Sequence, residues 1–194
     1  MLVQPPTAGG AFFKLAGGTA CKTLQAAFER YMGLTFTHRT SAAKAASLAA
    51  PHAGASTISS VTITVADQSE AHPQLETDES YTLSIGVDGT AAITAATIYG
   101  VMHALETFSQ LVVFDFDQGQ HTVPLAPWTI KDAPRYSHRG LMIDTARHFE
   151  PVATIKRIVD SLPYAKVNVL HWHMVVRHCN IPPASIQVTA PRNL

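Results

Sequence analysis

The feature that most constrains the fold of this chain is a strand–helix–strand pattern between Arg135 and Val175. An apolar run over residues 140–143 ends at Asp144 and is typical of a strand buried on both faces. A second run, residues 167–173, is rich in β-branched residues and too short for another helix. Because a helical segment separates these runs, the pattern predicts one βαβ unit with two parallel strands.

The segment between the two runs has the features of an amphipathic helix. Pro151 stands where the first helical residue is expected, and the acidic Glu150 precedes it. Apolar side chains then recur at helical spacing, at Val152, Ile155, Val159 and Leu162. This spacing predicts the crossover helix of the βαβ unit.

Polar residues follow the apolar part of each predicted strand. Asp144, Arg147 and His148 come after the first strand, and His171 and His173 close the second. The carboxyl ends of adjacent parallel strands meet at one edge, so these side chains are expected to converge there. In α/β proteins this rim is where substrates bind. His171 and His173 are two residues apart and should share one face of the strand.

The chain before Pro134 has the pattern of a small α+β layer. Alternating apolar residues predict strands over 61–65, 81–87 and 91–95, the last two joined by a turn at Asp88-Gly89. Two amphipathic helices are expected. The first carries Leu24, Ala27, Phe28 and Tyr31 and ends near Gly33; the second carries Ile98, Val101, Met102, Leu105 and Phe108, with Thr97 as its cap. Residues 41–56 read as a linker or loop.

Two motifs resemble the β-N-acetylhexosaminidases of glycoside hydrolase family 20. HRGLMIDTARHFEPV and KVNVLHWHMV are similar to the family patterns HRGLLIDTSRH(Y/F)xPV and KLNVLHWHLVDD, in the same order. By this resemblance Arg147 holds hydroxyls of a terminal N-acetylhexosamine, with Asp144, His171 and His173 in support. The implied substrates are glycans ending in N-acetylglucosamine or N-acetylgalactosamine. The implied mechanism is retaining and substrate-assisted, and it needs no cofactor.

The resemblance also implies the domain organisation. It reaches back to about Thr23 and predicts an α+β auxiliary domain, an antiparallel sheet with flanking helices, followed by an incomplete (β/α)8 barrel start of one βαβ unit. The expected segments are an irregular lead-in over 1–22, the auxiliary domain over 23–133, the βαβ unit over 134–175 and a divergent tail over 176–194.

The chain departs from the family after Val175. Val176 and Arg177 stand where the family has two aspartates, and the first family aspartate contacts the sugar. The chain has 194 residues in all, so 60 follow Pro134, whereas a complete barrel needs roughly 250. After Arg147 the only acids are Glu150 and Asp160, and they are not neighbours. We therefore interpret the chain as C-terminally truncated, and expect it to lack the family's Asp–Glu pair and to be inactive.

Composition narrows the function classes. Lys+Arg and Asp+Glu both number 14, so the zero net charge favours neither nucleic-acid nor membrane partners. Cys21 and Cys179 show no metal spacing and no disulfide framework. The N-terminus lacks the basic start and apolar core of a signal peptide. Members of the resembled family are lysosomal, vacuolar or secreted. Because this chain shows no clear signal peptide, its sequence does not assign it to one of these compartments.

Three alternatives remain open at this point. Arg147 could form a local ion pair with Asp144 or Glu150, and Asp144 could simply hold a turn. His148, His171 and His173 could bind zinc in a metal-dependent hydrolase. The chain could also be a non-catalytic module that pairs with a full-length family member.

Overall fold

The computed structural model describes residues 1–6, 10–38 and 56–174, together with the backbone of residues 186–189. The expected loop over 41–56 lies outside these ranges except for its last residue, as do Val176, Arg177 and Cys179. The chain divides into two compact units. The first comprises Met1–Glu70 and Asp78–Ala133, and the second comprises Ala71–Thr77 and Pro134–Leu194.

The first unit contains nine strands and two helices among its described residues. In chain order they are β1 (Leu2–Val3), β2 (Phe13–Leu15), α1 (Lys22–Thr35), β3 (Thr57–Ile58), β4 (Val61–Asp67), β5 (Tyr81–Ile85), β6 (Ala91–Thr97), α2 (Ile98–Leu111), β7 (Val113–Asp115), β8 (Gln120–Thr122) and β9 (Trp128–Asp132).

The main sheet of this unit is mixed rather than antiparallel as expected. Its strand order is β2-β4-β6-β5-β9. Strands β2, β4 and β6 run parallel, and β5 is antiparallel to both β6 and β9. The expectation failed because β6 lies between β4 and β5, so β4 has no hairpin partner. Alternation in the sequence determines which side chains share a face, but not which strands become neighbours. A second sheet has the order β3-β1-β8-β7.

The core of the first unit lies between the main sheet and α2. Alternate side chains of the central strands are fully buried, including Ile63, Leu83 and Ile93. Helix α2 covers them with the apolar stripe predicted from the sequence, and Val101, Leu105 and Phe108 are also fully buried. Helix α1 packs against α2 and adds Leu24, Ala27 and Tyr31 to the same cluster. The α+β class of this unit is therefore confirmed.

Two local details differ from the expectations. The lead-in expected to be irregular contains the short strands β1 and β2, and its Phe12 and Phe13 are buried. These strands are too short to show a period in the sequence. Helix α1 ends at Thr35, two residues beyond Gly33, so the glycine lies inside its last turn. A glycine costs only about 1 kcal/mol inside a helix, so tertiary packing can outweigh it.

The predicted turn at Asp88-Gly89 is present and depends on both residues. The Asp88 carboxylate accepts hydrogen bonds from the Thr90 amide and hydroxyl, at 3.0 and 2.7 Å. Gly89 has a φ of +89°, and a Cβ there would lie 2.5 Å from the carbonyl oxygen of Thr57. Only glycine meets both conditions.

The second unit has the predicted strand–helix–strand order. It contains β10 (Gly140–Asp144), α3 (Val152–Ser161), a 3-10 turn (Leu162–Ala165), β11 (Val169–His173) and β12 (Ile186–Thr189). Strands β10 and β11 are parallel, as predicted. Strand β12 pairs antiparallel with the other edge of β11, so that edge is not open.

Among the described residues of the second unit, the buried side chains lie on one face of the sheet. Ile143, Ile155 and Leu170 are buried, and four half-buried side chains pack against them: Ile158, Val159, Leu162 and Trp172. Met142, on the opposite face, is 56% exposed. Strand β10 is therefore not buried on both faces as its apolar run suggested. Val152 is also exposed, and Pro151 is the N-cap of α3 rather than its first residue.

Among the described residues, no helix combines the length and apolar character needed to cross a membrane. Cys21 is an unpaired, half-buried thiol.

Thr97 caps the N-terminus of α2, and replacing its side chain tests how much this cap stabilises the protein. Its hydroxyl accepts from the Gly100 amide at 3.4 Å and donates to the Asp78 carbonyl at 2.6 Å. We expect Thr97→Ala to lower the free energy of unfolding by about 1 kcal/mol, measured by urea denaturation. Thr97→Ser keeps the hydroxyl and should retain most of the stability. Equal losses in the two variants would contradict the capping role.

Candidate functional site

The parallel pairing of β10 with β11 places the predicted site residues at one strand edge. In this register Asp144 lies opposite His173, and Met142 lies opposite His171. The connection continues one residue further, because the Thr145 amide donates to the His173 carbonyl at 3.0 Å. The two strand ends are therefore joined directly where the polar residues lie.

Asp144 holds the turn that follows β10. One carboxylate oxygen accepts from the amides of Ala146 and Arg147, at 3.0 and 3.2 Å. The other accepts from the Arg147 guanidinium at 2.8 Å. Both local roles considered from the sequence are therefore present: Asp144 holds the turn, and it forms the ion pair with Arg147. This geometry turns the guanidinium back towards the strand end.

The ion pair does not bury Arg147. Its side chain is 72% exposed, whereas that of Asp144 is 16% exposed. A guanidinium has five N–H donors in a rigid plane, and the bond to Asp144 engages one terminal nitrogen. The arrangement can therefore present a fixed positive charge and further donors to a polyhydroxylated ligand.

The carboxyl of Asp144 titrates below its ordinary value. Partial burial works to raise its pKa, but hydrogen bonds from the Arg147 and Ala146 amides and the charges of Arg147 and His173 together lower it. Asp144 is therefore ionised at neutral pH and in mildly acidic solution. The rim carries a fixed carboxylate–guanidinium pair beside the ring of His173.

The three histidines differ in placement. His173 is half-buried beside Asp144, whereas His171 and His148 are exposed. Within residues 1–6, 10–38 and 56–174, no group of three or more His, Cys, Asp or Glu side chains is positioned to hold a metal ion. The described structure therefore does not bring His148, His171 and His173 together as a ligand set.

Sequence reasoning missed a contact made by Trp172. This side chain points to the α3 face of the sheet, where it packs beside Ile143 and Leu170. Its indole nitrogen donates to the hydroxyl of Thr145 at 3.0 Å. The loop after β10 is therefore tied to β11 by a side chain as well as by backbone. The alternation rule indicated which way Trp172 faces, but not this partner.

An open groove on the first unit is lined by residues of β5, β6 and β9 and contains Lys131. The Tyr81 hydroxyl at its edge hydrogen-bonds to Thr107 at 2.6 Å and donates to Asp132 at 2.9 Å. The hydroxyl of Tyr81 and its partners on Thr107 and Asp132 bond to one another, so these contacts have a structural role and do not indicate a ligand.

Comparison with family models gives one match for each part of the chain. Residues 6–111 match the model described as "beta-acetyl hexosaminidase like", which covers more than half of the sequence. Residues 136–178 match the model of the glycosyl hydrolase family 20 catalytic domain. The second match contains β10, β11 and all the rim residues described above.

Individual proteins agree with these matches. Beta-hexosaminidase 1 of Arabidopsis thaliana is 43% identical over 78% of this chain and 29% of its own length. The human beta-hexosaminidase subunit beta is 38% identical over 81% of this chain and 27% of its own length. The chain thus spans less than a third of the length of these curated relatives.

A solved structure shares the fold. The chitobiase of Flavobacterium johnsoniae superimposes with a TM-score of 0.60 and 26% identity, covering 83% of this chain and 23% of the other.

The Asp144–Arg147 pair can be tested by titration. Arg147→Gln removes the guanidinium charge, so we expect the pKa of Asp144 to rise towards its ordinary value of 3.8. Carbon-detected NMR of the Asp144 carboxyl across the acid range measures the shift. Lys156→Gln removes a charge from the exposed side of α3 and is the matched control, which should leave the Asp144 titration unchanged.

The same pair predicts the sign of a pH effect on stability. Because the folded-state pKa of Asp144 is lowered, its stabilising contribution is fully present above the unfolded value of 3.8 and is lost as the pH falls through the folded value. The difference in unfolding free energy between wild type and Asp144→Asn should accordingly shrink at low pH. A difference that grew on acidification would contradict the ion pair.

Proposed function

The chain belongs to glycoside hydrolase family 20, and we propose that its second unit is the start of a (β/α)8 catalytic barrel that acts on terminal non-reducing N-acetylhexosamine residues. One observation carries this proposal. Asp144 is paired with Arg147 and lies opposite His173 at the carboxyl ends of two parallel strands, within the segment matched by the catalytic-domain model.

Arg147 is the proposed sugar-binding residue. Its planar donors suit two adjacent hydroxyls of a pyranose ring, and its side chain is largely exposed at the rim. Asp144 fixes the guanidinium through the ion pair and the turn, and His173 lies beside that carboxylate. His171 is assigned a supporting position on the same strand. The substrate class is a glycan ending in N-acetylglucosamine or N-acetylgalactosamine.

The proposed chemistry is retaining and substrate-assisted, as the family resemblance implies. The acetamido oxygen of the substrate attacks the anomeric carbon, a glutamic acid protonates the leaving oxygen, and a neighbouring aspartate orients the acetamido group. Two acidic residues follow Arg147 in the 194-residue sequence. Glu150 precedes α3, and Asp160 is exposed on that helix. Neither belongs to such a pair. We therefore expect these 194 residues alone to bind weakly and to have no turnover.

This expectation is tested with a chromogenic substrate. The purified 194-residue chain should release no nitrophenol from a nitrophenyl N-acetylglucosaminide. A chimera should be active if residues 1–173 replace the matching part of the Arabidopsis enzyme and the rest of that enzyme follows. Turnover by the chain alone would disprove the assignment of the acid pair, and an inactive but folded chimera would disprove the proposed role of the second unit.

The role of Arg147 is tested in the same chimera. Arg147→Lys keeps the charge but loses the planar donors, so we expect kcat/KM to fall about 10- to 100-fold, mainly through KM. Lys156→Gln, on the exposed side of α3, is the control and should leave both constants unchanged. If Arg147→Lys behaves like the control, Arg147 does not bind the sugar.

A second candidate function is that of a non-catalytic module. It is favoured by the contrast in burial among the described residues, because the first unit builds its own core whereas the second buries three apolar side chains. Such a module would pair with a full-length family member. Co-expression with a tagged β-hexosaminidase followed by co-purification tests this pairing, and a chain that remains monomeric in that experiment would rule it out.

A further inference from the structure

The opposite ends of β10 and β11, five residues from the rim, are joined by reciprocal bonds between Arg139 and Asn168. The Arg139 amide donates to the Asn168 side-chain oxygen at 2.9 Å, and the Asn168 amide donates to the Arg139 carbonyl at 3.0 Å. The side-chain nitrogen of Asn168 donates to the Ser137 carbonyl at 2.7 Å. One asparagine therefore holds the segment before β10 through the Ser137 carbonyl and both backbone groups of Arg139.

The Arg139 side chain completes the connection from the other strand. Its Nε donates to the Lys166 carbonyl at 2.6 Å, and a terminal nitrogen donates to the Tyr136 carbonyl at 2.7 Å. Lys166 ends the 3-10 turn with a φ of +53°, a backbone conformation that few non-glycine residues adopt. The guanidinium thus links the residues that lead into β10 with the turn that leads into β11.

These bonds occur where the parallel register begins. The next bond of the ladder runs from the Val169 amide to the Arg139 carbonyl, and the pairing then proceeds from Gly140 opposite Val169 to Asp144 opposite His173. A slip of one residue would turn every side chain of one strand to the other face. His173 would then point to the side of α3, away from Asp144.

Apolar burial also favours this register, because Ile143 and Leu170 share the face that α3 covers and a slip would expose one of them. Among the described residues this apolar cluster is small, with three buried side chains, and Leu141 and Met142 are substantially exposed. The bonds made by Arg139 and Asn168, here called the clamp, add a directional constraint at the start of the ladder, while the Trp172–Thr145 bond acts at its other end. The bonds are directional and involve atoms of both strands, which apolar packing does not provide.

We propose that Arg139 and Asn168 are positioning residues that set the β10–β11 register and thereby place Asp144 and Arg147 beside His173. The proposed function enters this inference at one point, the binding role given to Asp144, Arg147 and His173. The register itself is a structural quantity that can be measured without any sugar. Failure of the proposed function would therefore leave the clamp intact, and failure of the clamp would be visible without an activity assay.

The test uses the full 194-residue chain, isotopically labelled for NMR. In Asn168→Ala we expect the cross-strand contacts between Asp144 and His173 to disappear and amide exchange of Thr145 to accelerate at least tenfold. The amides of α3 should keep their protection, because the helix makes its own hydrogen bonds. Asn168→Asp keeps the acceptor for the Arg139 amide but loses the donor to Ser137, and should restore part of the Thr145 protection.

The control is Lys156→Ala, which truncates an exposed side chain of α3 and should change neither readout. The proposal is overturned if Asn168→Ala keeps the Asp144–His173 contacts and the Thr145 protection. It is equally overturned if α3 and β11 lose protection to the same extent, since Asn168 would then support overall stability and not the register. Arg139→Lys, which loses the Nε donor to Lys166, should move the same readouts in the same direction as Asn168→Ala.

Discussion

The arrangement of the second unit depends on the parallel backbone ladder between β10 and β11. Five residue pairs run from Gly140 opposite Val169 to Asp144 opposite His173. Everything at the rim follows from this register, because the alternation of side chains along a strand decides which ones share a face. The hydrogen bond from Thr145 to the His173 carbonyl extends the ladder into the loop that carries Arg147.

The two units differ in how much they bury. The first places apolar side chains from β4, β5 and β6 beneath α2, and the sequence stripes of both helices point into the same core. The second covers one face of its short sheet with α3 and leaves Met142 and His171 exposed on the other face. A parallel sheet normally has both faces covered. This contrast agrees with the proposal that the second unit is part of a larger barrel.

The Asp144–Arg147 pair shows how a local structural contact and a binding role can coincide. Taken alone, an exposed pair three residues apart adds little to stability. Here the carboxylate also accepts two backbone amides, so it fixes the direction from which the guanidinium leaves the strand end. A cation held in one orientation loses less conformational freedom when it binds a ligand. The ion pair with Asp144 is therefore compatible with the proposed role of Arg147 in binding the sugar.

The sequence alone located the longer elements of the fold and most of their buried positions. The periods of the apolar residues located β4 to β6, α2, β10, α3 and β11, and the hydroxyl of Thr97 marked the start of α2. These features are local, since each depends on residues within one or two turns. Two family motifs were sufficient to indicate the sugar chemistry and to select Arg147, whose binding role remains a prediction.

Only the tertiary structure decided which elements became neighbours. It placed β6 between β4 and β5, paired the short strands β1 and β2 with other strands, and extended α1 to Thr35, two residues past Gly33. It also joined Trp172 to Thr145 and Arg139 to Asn168, in each case across more than 25 residues of chain. Such contacts leave no period in the sequence, because they depend on the distance between segments in space and not on the order of residues along the chain.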